Sequence, residues 1–513
     1  MRCNADARTS VADAAQDLTE ADVRGKKTLT VSSLLTALLL AQPALAQQEN
    51  SLSFKDSIER AIMSNPELGA RFQDFQSALE GQNVGRGALM PEINAQGWVG
   101  KEWRGGTSSA PSVNWTRNGY SLQLRQLIFD GFSSINQVRQ LGYEKLATYY
   151  ELLASVDSLA LEAANAHIDV LRYREMEKLA RENYGMHLNI LSQIQERSES
   201  GVGRGVDLEQ AYGRQALAQS NMMTEAGNLN DVLQRYRRIV GVPAPEVLQA
   251  APSLSESIPA KTVDFLPSLR TSPVILAKQA LYQAAESGKH VAQGRLSPTL
   301  ELRAATGKDK TDPPGASAYR DSQSSNVQLM LSYNLFRGGA DAARIRQTTA
   351  QQYAARDVRD YTCRNVQQDL AVAWNNIERL RAQLPFLKQH ELATSKVRVA
   401  YMQQFQIGQR SLLDLLDTEN ELFDARRALA NATYDLQQAE YRWLTLSHRL
   451  VSSVGLSQPY SEQPEEAAKL DFPEEAFKAC MTPVPDTSNL TPVSVDYRDG
   501  MAPPVLREKA AGL

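Results

Sequence analysis

Asp414 and Asp417 stand three residues apart just after Gly408, so a helix starting there carries both carboxylates on one face. Paired carboxylates can do acid–base work, hold a cation or line a charged opening. They can also simply stabilise the helix dipole, worth about 0.3–1 kcal/mol each in a first turn. Acid–base catalysis needs company that this chain does not offer. No nucleophile, base and metal constellation accompanies them, and His167, His187, His290, His390 and His448 have no partners at metal-site spacing. Gly201-Val202-Gly203-Arg204-Gly205 has the look of a phosphate cradle, but it follows a helix rather than a strand and reads as a helix-to-helix turn. No cofactor, metal or enzymatic activity is therefore expected.

The elements that must position those carboxylates occur twice. Pro66 and Pro273, Pro91 and Pro298, Gly131 and Gly338, Gly201 and Gly408, Asp207 and Asp414 are all separated by the same 207 positions. A constant offset that lands on prolines and glycines marks a duplicated half-protein, not a short solenoid repeat. Each half reads as helix, strand, strand, very long helix, turn, helix. The expected divisions are a leader at 1–46, a first repeat at 47–262, a second at 263–458 and a proline-rich tail at 459–513.

Two kinds of element dominate. Between Ser133 and Ser198 no proline interrupts the chain, and Val156, Leu159, Ala163, Ala166, Val170 and Tyr173 recur in steps of three and four. The same seam returns as Cys363, Val366, Leu370, Ala373, Ile377 and Leu380. This is the heptad pattern of long helices packed side by side. Shorter helices are expected over Phe54–Ala88, Val206–Val240, Pro273–Leu296 and Ser411–Val451. Strands are expected from Ile93 to Val99, Asn118 to Phe129, Leu300 to Thr306 and Val327 to Leu335, each pair joined by a polar loop (Gly105–Asn114 and Gly307–Ser317). Each strand has one apolar and one polar face, as in a soluble hairpin or a transmembrane barrel. Four strands cannot close a spanning barrel, which needs about 8 or more, so membrane strands would have to be pooled between copies.

The ends of the chain set compartment and chemistry. Arg24, Lys26 and Lys27, an apolar run from Leu29 to Leu40 and Ala44-Leu45-Ala46 form an export signal with cleavage expected after Ala46. The acidic residues before Arg24 are unusual there, and a mis-assigned start would account for them. Gln47 follows the cut, so no cysteine is present for lipidation. Cys363 is read as a seam residue, and a bond to Cys480 is not expected. The tail after Pro459 reads as extended or disordered. The net charge of −4 gives no case for nucleic acid.

Asn65-Pro66-Glu67-Leu68 with Pro91, the Phe129-Asp130-Gly131 and Phe336-Arg337-Gly338-Gly339 turns, and Ile407-Gly408-Gln409-Arg410-Ser411-Leu412-Leu413-Asp414-Leu415-Leu416-Asp417 together resemble the TolC-like outer-membrane channels of Gram-negative bacteria. The resemblance runs from Leu52 to about Gly455. It implies a mainly α protein with membrane β-structure: a homotrimer, a pooled 12-stranded barrel among outer-membrane lipids and a periplasmic α-barrel. It also implies docking of a periplasmic membrane-fusion adaptor and an inner-membrane ABC or proton-driven pump. The expected cargo route is type I protein secretion, with multidrug efflux or a periplasmic coiled-coil scaffold as alternatives. The resemblance further implies a pore constriction at Asp414 and Asp417 and a tip latch of Arg410 with Asp207. Phe405 stands where the family often has Tyr, so the latch lacks that hydroxyl.

Overall fold

The computed structural model describes residues 51–490 apart from 107, 109–111, 259–264, 312–319, 482, 484–485 and 487. The export signal and its cleavage site lie outside the described residues. In chain order the elements are β1 (Ser51–Leu52), α1 (Phe54–Ser64), α2 (Pro66–Gly87), β2 (Glu92–Arg104), β3 (Val113–Phe129), α3 (Ser133–Glu199) and α4 (Gly205–Val240). There follow β4 (Val247–Leu248), α5 (Leu266–Thr271), α6 (Pro273–Gly294), β5 (Thr299–Thr311), β6 (Arg320–Ser332), α7 (Ala340–Gln406) and α8 (Leu412–Leu446). The short helices α9 (Leu450–Ser453) and α10 (Glu474–Cys480) close the series. The 207-residue offset is realised in the backbone. It carries α2 onto α6, β2 onto β5, and the 67-residue α3 onto the 67-residue α7, end for end.

Local chemistry sets the boundaries. Ser53 caps α1 in a reciprocal capping box with Asp56. The single helix expected from Phe54 to Ala88 is instead broken at Asn65 (φ −75°, ψ 123°). Pro66 disfavours helical backbone in the residue before it, and Asn65 then caps α2 by accepting from the Glu67 amide at 2.9 Å. Gly201 and Gly408 both turn at φ +77° between the long helix and the returning one, a conformation that glycine adopts without steric cost. The sharp turns before α3 and α7 use Gly131 (φ +68°) and Gly338 (φ +61°).

At 1.5 Å per residue, α3 and α7 each run about 100 Å. At the sheet end α3 packs between α2 and α6, with α6 against α7; toward the other end α3 packs against α4 and α8, with α8 against α7. The predicted seam is the core: Val156, Ala163, Val170, Leu370 and Ile377 are fully or almost fully buried. One buried polar cluster there is well paired. His167 lies between Ser57 Oγ (2.9 Å from Nδ1) and the Gln249 carbonyl (2.8 Å from Nε2), and Ser57 Oγ is also 2.9 Å from the Tyr236 hydroxyl. Burial pushes the His167 imidazole below its ordinary pKa.

The four long strands form one antiparallel sheet in the order β2-β3-β5-β6. They are longer than the alternation predicted, at 13, 17, 13 and 13 residues. Lys101, Glu102 and Lys308-Asp309-Lys310 are polar on both faces and hide the outer ends from a pattern search, yet Lys308 through Thr311 stay in register with β6. One face carries Ile93, Val99, Leu122, Val327 and Leu329, all exposed. The opposite face is cross-braced by charge. Arg117 reaches Glu102 on β2 (3.1 Å) and Asp309 on β5 (2.7 Å), and Glu301 accepts from Arg125 (2.5 Å) and Arg303 (2.7 Å).

The first part of the tail is folded against the helices, contrary to the sequence expectation. Tyr460 stacks on Phe72 of α2 (5.0 Å) and its carbonyl accepts from Tyr149 of α3 (3.0 Å). Glu466 pairs with Lys145 of α3 (2.7 Å) and accepts from Gln82 of α2 (2.8 Å). The Asp471 carbonyl accepts from Gln279 and Gln283 of α6. Cys480 is disulfide-bonded to Cys363 of α7, with Cα atoms 5.9 Å apart. The strap thus crosses α2, α3, α6 and α7 in turn. The expectation that Cys363 stays unbonded was wrong because sequence spacing is blind to distance in space; Cys363 does sit in the seam, 2% exposed.

Candidate functional site at the helical tip

The end of the helices away from the sheet is built from two hairpins, α3–α4 and α7–α8. Ser411 caps α8 by accepting from the Asp414 amide (3.2 Å). Asp414 and Asp417 are therefore fixed in the first two turns, half-exposed on one face. Asp414 lies 3.6 Å from Arg410, whose guanidinium also stacks 4.3 Å over Tyr401 and donates to Gln404 (2.9 Å). Asp417 accepts from Arg214 of α4 at 2.7 Å, a bond between the two hairpins.

The expected pairing of Arg410 with Asp207 is not formed within the chain: Arg410 is turned to Asp414 on its own hairpin, where i, i+4 spacing brings them together. Asp207 lies in the first turn of α4. Phe405 lies beneath the surface of the tip. It is 4% exposed and packs with Ile190, Leu191, Ile194, Leu412 and Leu415. Arg197 of α3 covers it at 4.5 Å and donates to the Phe405 and Gln406 carbonyls (3.4 and 3.5 Å). Those carbonyls close α7, where a cation complements the dipole.

Sequence reasoning missed Arg197 and Arg214, two arginines by which the first hairpin grips the second at the tip. Their counterparts at the 207-residue offset are Gln404 and Glu421, so the duplication that exposed the other elements carried no trace of them. The tip thus offers half-exposed carboxylates braced by arginines, a charged rim.

A long helical hairpin and a β-hairpin, each present twice, also match a known family. The sequence profile of the outer membrane efflux proteins fits residues 57–242 and 268–446, most of both repeats. The chain belongs to the outer membrane efflux protein family. Outer membrane efflux protein BepC of Brucella suis is 24% identical over 86% of this chain and 95% of its own length. Outer membrane protein TolC of Escherichia coli is 26% identical over 83% and 88%. Among solved structures, the Campylobacter jejuni CmeC outer membrane channel superposes with a TM-score of 0.71 over 83% of this chain and 89% of its own, at 15% identity. The helical barrel plus β-barrel architecture of these efflux proteins is therefore the fold of this chain, and its place is the outer membrane with a helical extension into the periplasm. It is an outer-membrane channel for efflux or export.

Proposed function

We propose that this chain is the exit duct of a tripartite system for type I protein secretion, and that it works as a homotrimer. The observation that carries the reading is the sheet. It has four strands with both edges open, half of the roughly 8 that a spanning barrel needs. Three copies pool 12 strands. The apolar face meets outer-membrane lipid, and a periplasmic membrane-fusion adaptor with an inner-membrane ABC or proton-driven pump engages the helical tip.

The cargo assignment draws on relatives named for what they secrete: the alkaline protease secretion protein AprF of Pseudomonas aeruginosa (24% identical over 79% of this chain) is one. Multidrug or small-molecule efflux is the second reading, favoured by the name of the BepC relative. Deleting the gene and comparing the culture medium with the cell's drug tolerance separates the two. Loss of a secreted protein with unchanged tolerance supports type I secretion, and the reverse result replaces it with efflux.

At the tip, Asp414 and Asp417 from each copy stack into two carboxylate rings that attract cations and repel anions, because low-dielectric walls focus the field. Arg410, Asp207 and Phe405 belong to the same gate, with Arg410 drawn to the Asp414 ring. Planar-bilayer recording of the Asp414→Ala/Asp417→Ala protein tests this. Cation preference falls if the rings are real, and wild-type selectivity reduces both residues to helix caps.

A further inference from the structure

The apolar side of the sheet changes character along its length. Side chains alternate between the two faces, so on this side β2 presents Ile93, Ala95, Gly97 and Val99, then Lys101 and Trp103. In the same way β5 presents Leu300, Leu302, Ala304 and Thr306, then Lys308 and Lys310. β6 brings Leu331, Leu329 and Val327 and reaches Asp321 at the same end as the lysines. Among the described residues, every charge on this side therefore lies at the hairpin end, remote from the helices. With the helices in the periplasm, that end meets the outer leaflet. The end next to the helices is apolar.

The strand registers bring the three lysines together. Lys310 is level with Val99 through Asn118, two strands away. Lys101 stands one side-chain step farther out, and Lys308, beside Tyr120, one step farther in. At ~4.8 Å between strands and ~3.4 Å per residue, the three Cα atoms fall within about 17 Å of one another. One carboxylate serves two of them: Asp321 is 3.0 Å from Lys308 and 3.9 Å from Lys310. Lys101 has no ion-pair partner among the described residues. The cluster thus keeps an excess of positive charge. Trp103 and Tyr120 beside it are 74% and 61% exposed, as aromatic side chains are at the boundary between lipid and water.

Directly inward of Tyr120 and Lys308, the same side carries a hollow of about 360 Å³ between Ile93, Leu122, Leu124, Ala304, Thr306 and Val327. It exists because Ala304 and Thr306 are short where their neighbours are long. An apolar hollow under a cation cluster suits a molecule with an acyl chain and an anionic head. The cations are too far apart for one phosphate to meet all three, and they lie in the leaflet that such bacteria build from phosphorylated glycolipid. We propose that this side of the sheet holds one such glycolipid. Lys101, Lys308 and Lys310 donate charge-assisted hydrogen bonds to its phosphates, Trp103 and Tyr120 line its sugars, and one acyl chain fills the hollow. This rests on the reading above that the apolar face meets membrane lipid, and adds which lipid is held and by which residues.

Full-length protein extracted from outer membranes and stripped of lipid tests it, by titration in mixed micelles with bisphosphorylated hexa-acyl lipid A or with phosphatidylglycerol. Lipid A should bind at least tenfold more tightly, and Lys101→Gln/Lys308→Gln/Lys310→Gln should abolish that preference. Lys101→Gln alone should weaken lipid A binding several-fold. Arg104→Gln, three residues along the same strand but stacked on Trp115 on the opposite face, should leave it unchanged. Ala304→Phe fills the hollow and should also weaken lipid A several-fold. Equal affinity for the two lipids, undiminished lipid A binding by the triple variant, or equal losses for Lys101→Gln and Arg104→Gln overturns the site. Undiminished binding by Ala304→Phe overturns the seat for the acyl chain. Recovery of the unmutated protein in the soluble fraction, with no lipid bound, overturns the membrane reading itself.

Discussion

Gly131 and Gly338 hold the same left-handed turn in the two repeats, yet one is wedged against the carbonyl of Gly294 and the other faces open space. The same contrast runs the length of the helices. α3 has neighbours on both sides, whereas α7 is an edge helix whose Tyr353, Tyr361, Val372 and Phe386 are exposed. Equal local sequence plans thus give equal backbones, and position in the layer decides what each side chain costs or contributes.

The comparison is sharpened most by Gly131→Ala. A Cβ there adds left-handed strain of about 1–2 kcal/mol to a backbone clash of about 1–3 kcal/mol. The variant should lose roughly 2–5 kcal/mol and reach the membrane poorly. Gly338→Ala should lose only the strain in the chain before it assembles, unfolded and refolded at concentrations too low for oligomers. Thermal melting followed by circular dichroism reads both, and equal losses would erase the distinction between repeats. Next in size is the disulfide. Cys363 is the counterpart of Val156, an ordinary seam residue, so the staple belongs to the second repeat alone. Cys480→Ser should cost about 2–4 kcal/mol and expose Lys469 and Lys478 to trypsin, with the Cys363→Ser/Cys480→Ser double variant no worse than the single.

A third test uses pH. His167 has Trp374 as its counterpart, so this buried imidazole has no equivalent in the second repeat. Its folded pKa is lowered by burial, so the unfolded chain takes up the proton first as pH falls. The contribution is whole above about pH 6.5, the unfolded value, and is lost as pH drops from there through the folded pKa. His167→Gln should flatten this part of the pH–stability curve, and an unchanged slope would assign it elsewhere. Smallest is Arg214→Ala. The ion pair with Asp417 is half-exposed and worth about 0.2–1 kcal/mol, so melting should barely move. Loosening of the second hairpin should instead appear as more frequent openings in bilayer recordings.

What could be read in the sequence was whatever repeats or alternates. The seam through Val156 and Leu370, the turn glycines and the apolar strand face all leave periodic marks. The outer strand ends did not, because residues such as Lys308 and Lys310 place charge where the alternation calls for apolar groups. Arg197 on Phe405, Arg214 on Asp417 and Cys480 on Cys363 join residues about 117 to 208 positions apart. Such contacts depend on how hairpins come to lie together, which no local pattern encodes. The tail misled for a related reason. Its prolines forbid long regular elements, but Tyr460, Glu466 and Cys480 each find a partner on a helix already in place.

The strap has a consequence for how the chain matures. Cys363 and Cys480 are the two cysteines among the described residues, so there is one way to pair them there. Residue 480 is synthesised and exported 117 positions after residue 363, and the bond has to wait for it. Maturation then calls on an oxidising enzyme of the cell envelope once, late, and among the described residues no third cysteine offers a wrong pairing for an isomerase to correct.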